Sequence, residues 1–402
     1  MHAFFAICPR GLEPLLADEL RVAGAQQVAA ESGGVSFSGP LAVGYAANLQ
    51  SRIASRVLWQ VAQARYARED DLYAAAHAVA WEDHLDARQT LRLDLNASRS
   101  PLRSLEFALL RIKDAIVDRL RERTGARPDI DRERPDVRVF AFLDADTVTL
   151  YLDLSGEPLF KRGWRADKGE APLKENLAAG LLMLAGWTPA RPLLDPFCGS
   201  GTILIEAAQI ALGHAPGLDR RFGLERLRSF DRAGWQRLLD AARARRTPGA
   251  AVRLMGTDIS TRVVEVARAN AGKAGLDPLL ADGRLRFAAC DARVAEPIAA
   301  SAEGEPRPMI VTNPPYGEQS NPKSASVPKL MHDIGDRLKA AFAGHEVWLL
   351  SSDRDLPRQL RLQEKRKTVV FNGGLECRFF RFDLVAGQYR PRAAPTDVDK
   401  PV

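Results

Sequence analysis

The chain has 402 residues, 46% of them hydrophobic, and a formal net charge of +6, which supports more than one packed core and excludes a disordered or fibrous chain. No run of about eighteen apolar residues offers a membrane span, and the start, "MHAFFAICPRGLEPLL", lacks the basic and apolar regions and cleavage site of an export signal. Cys8, Cys198, Cys290 and Cys377 stand far apart without CxxC or Cys/His spacing, so neither a disulfide framework nor a metal site is expected, and a reducing cytoplasm is the expected compartment.

In chain order, "FFAIC" (4–8) reads as a strand and "GLEPLLADELRVAG" (11–24) as an amphipathic helix stopped by Gly24. "GVSFSG" (34–39) is a strand, 41–52 a helix and 56–66 a strand, together a small α+β unit. The style continues with a strand at 91–98 and a helix over 105–125 capped by Ser104 and ended by Gly125. A hairpin over 137–154 turns near Asp144-Ala145-Asp146. Residues 155–170 are polar and rich in glycine and basic residues, as in a linker or hinge. Beyond them the pattern alternates strand and helix. "LLD", "RLMGTD" and "RLRFAACD" end in aspartate and "MIVTN" in asparagine, with helices expected over 174–186, 202–212, 260–274 and 327–343. Buried strands alternating with helices imply a parallel, doubly wound sheet, which binds ligands beyond its C-terminal strand ends.

Charge divides unevenly. Residues 1–190 carry 24 Lys/Arg and 26 Asp/Glu, a net of −2, which leaves +8 for 191–402. A basic protein suits a polyanion such as RNA, but the first half needs a local patch for it. The best candidate is 88–138, where 13 basic residues, among them Arg88, Arg92, Arg99, Arg103, Arg111 and Lys113, face 9 acidic ones; a solvated helix face has the same pattern. The insertion 213–250, with "RLRSF" and "RARRT", poses the same choice between RNA-lining arginines and a solvated helix.

"LLDPFCGSGTILIEAA" (193–208) delivers Asp195 from a strand, then Pro196, Phe197, Gly199, Ser200 and Gly201 in a turn, then a helix from Thr202. Glycines let a ligand approach the backbone, and the helix start offers free N–H groups. The dinucleotide pattern GxGxxG is absent, and no Gly-Lys-Ser/Thr follows to make a P-loop. Asp258, followed by Ile259, suits ribose hydroxyls, and Asp291, followed by Ala292, suits an adenine edge, although either aspartate taken alone also reads as a helix cap or turn residue. "VTNPPYGE" supplies the fourth tip. Pro314 and Pro315 fix their φ angles and hold Asn313 extended. The Asn313 side-chain oxygen and the Pro314 carbonyl can both accept from one planar –NH2 group, and Tyr316 offers a face for a flat ring. Such a clamp enriches an exocyclic amine and aims it at a methyl donor.

These residues resemble class I S-adenosylmethionine-dependent methyltransferases of the amino-methylating type. With "FAICPRGLEPLLADEL", "APLKENLAAGLLMLAGW", "FGLERLRSFD", "HDIGDRLK" and "NGGLECRFFRFDL" in order, residues 1–385 resemble the RlmL-like family of THUMP-domain RNA guanine-N2 methyltransferases. The resemblance implies a ferredoxin-like subdomain over 1–60, a THUMP RNA-binding domain over 61–165, a Rossmann-like methyltransferase sheet over 166–390 and a flexible tail over 391–402. It implies S-adenosyl-L-methionine as cofactor, its methionine part near Asp195, Phe197, Gly199 and Gly201, with Asn313, Pro314 and Tyr316 presenting the guanine. It further implies 23S ribosomal RNA or a large-subunit precursor as substrate. A tRNA guanine, a DNA adenine, a protein glutamine, or a non-catalytic role in ribosome assembly stays open, as does oligomeric state.

Overall fold

A computed structural model describes residues 1–165, 173–298, 304, 306–315 and 327–385. In the first half, alternating burial along β1 (His2–Ile7) puts Phe4 and Ala6 inside, between β3 (Gly34–Gly39) and β4 (Arg56–Arg65), both antiparallel to it. The edge strand β2 (Gln26–Glu31) pairs with β3 but is almost wholly exposed. Its sequence therefore carries no hydrophobic alternation and gave no strand signal. On the other side β4 continues into β7 (Thr147–Asp153), then β6 (Val137–Leu143) and β5 (Leu91–Ala97), so one seven-stranded sheet runs β2-β3-β1-β4-β7-β6-β5. The expected boundary at 60/61 falls inside β4, at the bulge between Gln60 and Ala62. The helix Leu105–Thr124 starts where expected. The Ser104 hydroxyl accepts from the Phe107 N–H at 3.2 Å, and Gly125 closes it at φ 74°.

The second half forms a seven-stranded sheet from β8 (Leu193–Asp195), β9 (Leu254–Asp258), β10 (Leu285–Ala289), β11 (Met309–Thr312), β12 (Glu346–Ser351), β13 (Arg366–Asn372) and β14 (Leu375–Asp383). Its order is β10-β9-β8-β11-β12-β14-β13. The first five strands in that order are parallel, as the strand–helix alternation implied, and an antiparallel hairpin, β13 with β14, closes one edge. The sequence order reverses between β8 and β11. In open α/β sheets this is the point where the connecting helices part to opposite faces and leave a crevice.

The two halves share one hydrophobic core, which runs from Phe4 and Leu12 through Leu177 and Leu204 to Phe379. The stretch expected to be a linker is packed over its described part. Ser155, Leu159, Arg162 and Trp164 are buried. Arg162 Nε donates to Glu206 Oε1 at 3.2 Å, and Arg52 Nη1 reaches Glu206 Oε2 at 3.2 Å. Three charges buried together tolerate no missing partner, so this triad fixes the first module against the helix Thr202–Ala211, which begins at the glycine turn. The insertion adds a second tie. Its helix, Arg232–Ala244, packs Trp235 edge-on against Tyr45 and Phe222, and Arg228 N donates to His84 O at 2.8 Å. Among the described residues no helix is long and apolar enough to cross a membrane.

Candidate active site

The strands on either side of the switch point bring Asp195 and Asn313 to neighbouring tips. β8 and β11 pair directly, Met309 with Leu193 and Ile310 with Leu194. The Thr312 hydroxyl, fully buried at the end of β11, donates to Asp195 Oδ1 at 2.5 Å, and the Phe197 N–H donates to the same oxygen at 3.2 Å. Burial pushes the Asp195 carboxyl up to about 7, against the pull of those two bonds. Thr312 escaped notice in the sequence, where its signal is a lone hydroxyl ending an otherwise apolar strand.

The glycine turn is stitched to the next tip. Cys198 N donates to Thr257 O at 2.9 Å, and Gly199 N donates to Asp258 Oδ2 at 3.2 Å. Gly199 and Gly201 sit at φ 51° and 84°, where a side chain strains the backbone. A Cβ on Gly199 would meet nothing within 4 Å, so the turn presents an open face; one on Gly201 would press on Phe287 and Ala267 at 3.1–3.2 Å. Pro196 and Thr202 are buried, while Phe197 and Ser200 are half-buried. Asp258 keeps Oδ1 on the Ser260 N–H at 3.0 Å and retains further lone pairs for a ligand.

At the third tip the outcome differs from the expectation. Both Asp291 oxygens are taken by the Arg293 guanidinium, at 2.5–3.1 Å, and that partner holds the carboxyl below its usual range. The neighbouring surface is apolar. Ile259 is 72% and Val294 61% exposed, and Ala292 is half-buried. At the fourth tip Pro314 is buried and Pro315 half-buried, and the Asn313 Oδ1 atom is buried with no hydrogen-bond partner among the described residues. Tyr316 lies outside the described residues, as does the expected tail over 391–402.

A residue that sequence reasoning missed joins the turn from outside. Arg165, at the end of the packed connection, donates from Nη1 to Ser200 Oγ and from Nη2 to Thr202 Oγ1, both at 3.0 Å. No spacing rule could have found it, because it reaches the turn only through the fold. The basic stretch of the first module is also less free than its charge suggests. Arg92 pairs with Asp94, Arg99 with Asp144, Arg111 with Asp70 and Lys113 with Asp114. Arg103 is exposed with no ion pair among the described residues, while the exposed Arg88 lies beside Asp86, whose Oδ1 accepts from its N–H at 3.0 Å. Beside Arg103 the start of the helix exposes Leu105, Phe107 and Leu110, Phe107 by 50%.

Residues 162–381 match the model of the RMKL-like methyltransferase domain. The chain belongs to this family. Residues 66–153 of this RMKL-like protein match the THUMP domain and residues 3–58 the RlmL ferredoxin-like domain. It is 41% identical over 399 residues to the ribosomal RNA large subunit methyltransferase K/L of Syntrophotalea carbinolica, covering 98% of this chain and 55% of that protein. The chain thus spans about half the length of the curated relatives it matches. Among solved structures it is similar to SMU.472, assigned as a methyltransferase and complexed with SAH, with TM-score 0.84, 26% identity, and coverage of 96% of this chain and 99% of that one. It is also similar to a predicted N6-adenine-specific DNA methylase from Listeria monocytogenes, with TM-score 0.83, 29% identity, and coverage of 95% and 96%.

Proposed function

We propose that this RMKL-like protein methylates the exocyclic N2 amine of a guanine in 23S ribosomal RNA, with S-adenosylmethionine as cofactor. The observation that carries the reading is the buried Asn313 oxygen at the switch-point tip, which has no hydrogen-bond partner among the described residues. An unmet buried acceptor costs about 1–3 kcal/mol, and a donor that arrives with the substrate relieves it. The names of the curated relatives support ribosomal RNA of the large subunit as the substrate.

The cofactor suits the residues present. The open face over Gly199 admits a close ligand, the Asp195 carboxylate lacks a cationic partner among the described residues, and exposed Ile259 and Val294 offer apolar walls for a flat ring. When bound, S-adenosylmethionine would supply a methyl group on a sulfonium, and the neutral thioether formed on transfer leaves without needing a proton. Asp258, whose oxygens keep lone pairs beyond the Gly199 and Ser260 bonds, would take the ribose hydroxyls. Asp291 meets the adenine edge only if Arg293 yields, so the apolar walls carry most of that end. Asn313 Oδ1 and the Pro314 carbonyl would each accept one N–H of the guanine amine, with Pro315 keeping the loop rigid; the stacking role expected of Tyr316 lies outside the described residues. Holding both N–H bonds would aim the nitrogen lone pair for attack, and the proton that becomes surplus once the N–CH3 bond forms would leave to water. The base reaches this pocket unpaired or drawn out of its stack.

The RNA is held by the first module. Arg103, without an ion pair among the described residues, supplies cationic charge, and Phe107 offers an aromatic face to an unstacked base. A double substitution, Arg103→Ala with Phe107→Ala, is expected to weaken RNA binding about tenfold, with SAH affinity unchanged; filter binding and calorimetry read the two separately. Asp258→Ala is expected to weaken SAH binding about tenfold or more, since it removes a charged acceptor from two hydroxyls. An unchanged dissociation constant would remove Asp258 from the ribose site.

The deciding assay incubates the protein with labelled S-adenosylmethionine and unmodified large-subunit RNA, tRNA, DNA and protein in parallel, followed by nucleoside mass spectrometry. N2-methylguanosine in the large-subunit RNA is the expected product. Label confined to another substrate overturns the substrate, and absence of both label and cofactor binding overturns the enzymatic reading.

A further inference from the structure

The hairpin that closes the second sheet carries charge that the cofactor site does not use. Register fixes where it lies. Thr312 pairs with Leu349, and Ser351, two residues on, pairs with Arg378 of β14. Arg378 therefore sits at the C-terminal end of the parallel strands, two strand spacings, about 10 Å, to the side of the Asn313 tip. Opposite Arg378 in β13 stands Val369, and opposite Glu376 stands Phe371. Alternation sets the face they share. Cys377 and Phe379 belong to the core that joins the two halves, whereas Phe380, in step with Glu376 and Arg378, belongs to the cluster on the other side of the sheet. Towards this end of the hairpin that other side is open, and Val369 is 44% exposed.

Three guanidinium groups meet here and share one carboxylate. Arg354 Nη2 and Arg378 Nη2 both donate to Glu376 Oε1, each at 3.2 Å. The third cation, Arg10, comes from the first module. Phe371 N donates to Arg10 O at 3.0 Å, and the Arg10 guanidinium carbon lies 4.1 Å from the centre of the Phe371 ring. Gly11 makes this approach possible. It stands at φ 93°, and a Cβ on it would lie 2.3 Å from the Val369 carbonyl oxygen, so only glycine lets the loop run against the strand. Arg10 is exposed and makes no ion pair among the described residues. The ring contact holds its cation in place, so less side-chain freedom is lost when an anion arrives. Arg92, Arg99 and Arg111 of the first module are each matched by an aspartate. Here three cations face one carboxylate, and the surplus is positive.

We propose that the face formed by Arg10, Arg354 and Arg378, with Val369 and Phe371 between them, holds the phosphate backbone of the RNA strand that flanks the target guanine. This deepens the guanine-methylation reading and rests on it. Cations around an apolar and aromatic floor suit a single strand, which needs cover for its bases as well as its phosphates. Because Arg10 belongs to the first module and Arg354 and Arg378 to the second sheet and its connection, neither half forms the surface alone. RNA gripped by the first module thereby reaches the catalytic tip over ground that both halves build. Charges beside an exposed edge strand also have a plainer use, the prevention of edge-to-edge pairing, and the test separates the two.

Filter binding of unmodified, transcribed 23S ribosomal RNA is measured from about 50 to 200 mM KCl, without turnover. The wild type is compared with the double variant Arg10→Gln with Arg354→Gln. A control of equal charge, Arg21→Gln with Arg286→Gln, alters the first helix, Glu13–Val22, and the opposite edge strand, β10. All four arginines are exposed, so the fold is not at stake, and unchanged SAH affinity by calorimetry checks it. The hairpin pair is expected to bind about tenfold or more weakly at the lowest salt and to lose about 1–2 from the slope of log K against log salt. The control is expected to stay within about twofold. Arg10→Lys with Arg354→Lys is expected to restore the slope, because a phosphate contact needs the charge more than the fork. Equal losses in the hairpin pair and the control would reveal a general field and overturn the surface. A loss as large with lysine as with glutamine would make the arginines structural and overturn it too, and an unchanged slope would leave them only their part in guarding the edge. If the wild type itself does not bind the RNA, the RNA reading fails and the surface falls with it. Methylation by the wild type with binding unaltered in the hairpin pair sinks this proposal alone.

Discussion

Asn313→Ala should lower turnover by two or more orders of magnitude and leave SAH affinity within about twofold, the pattern of a lost transition-state contact. Thr312 is anchored to Asp195 at 2.5 Å, and the two prolines that follow Asn313 remove the torsional freedom by which the loop could otherwise adapt. The amide oxygen is thereby held in a buried position without a partner among the described residues. Alanine removes that acceptor and leaves the backbone path intact, so the cofactor pocket on the β8 and β9 side has no reason to change. The amine would still reach the site but with one N–H bond free to rotate, and its lone pair would lose direction. A stopped-flow or single-turnover assay with saturating RNA separates this from a binding defect. Turnover within about threefold of wild type would remove Asn313 from the chemistry. Asn313→Asp should fall between, because a carboxylate accepts well but must first be desolvated.

The parts of this molecule that could be read from the sequence are those whose physics is local. Asp195, Asp258 and Asp291 end apolar runs and so had to lie at strand tips. Asn313-Pro-Pro is rigid by its covalent chemistry alone, and the Ser104 cap and Gly125 stop follow from neighbours a few residues away. What escaped depends on distant partners. Arg165 meets Ser200 and Thr202, 35 and 37 residues on, and its neighbourhood in sequence looks like solvent-exposed linker. The arginines of 88–113 looked like an open basic patch, yet Asp70 and Asp144, which neutralise Arg111 and Arg99, lie over forty residues away in the chain. The first module reads as two small units because β4 is one strand with two audiences, β1 on one side and β7 on the other, and no periodicity records a second neighbour. The exposed strand β2 has no inward face to mark it. At Asp291 the sequence placed the carboxylate correctly at its tip, but could not show that Arg293, two residues on, would occupy it.

Asp195→Asn should make the ligand-free protein more stable at pH 8 and weaken its hold on SAH. The carboxyl is buried and sits at about 7 in the folded chain, against 3.8 when free. Below about pH 4 it is protonated in both states and contributes nothing to the pH dependence. Between about 4 and 7 the unfolded chain releases a proton that the folded chain retains, so stability falls as pH rises, and the loss is complete above about 7. That gap corresponds to roughly 4 kcal/mol at most, of which about 2–3 kcal/mol falls between pH 5 and 8. Asparagine suits the site because both donors, Thr312 Oγ1 and Phe197 N, land on the same oxygen, Oδ1, and an amide oxygen accepts them equally. Urea denaturation at the two pH values should therefore show the variant gaining on wild type by about 2–3 kcal/mol from pH 5 to 8. Parallel pH profiles would mean that the carboxylate is already ionised in the folded chain. The same group should work the other way on the ligand. A cationic ammonium beside Asp195 favours its ionised form, so wild-type SAH affinity should strengthen as pH rises towards 7, while the asparagine variant stays weak and flat. The variant would then be the more stable fold and the poorer binder, which is the behaviour of a buried charge kept for a ligand instead of for the fold.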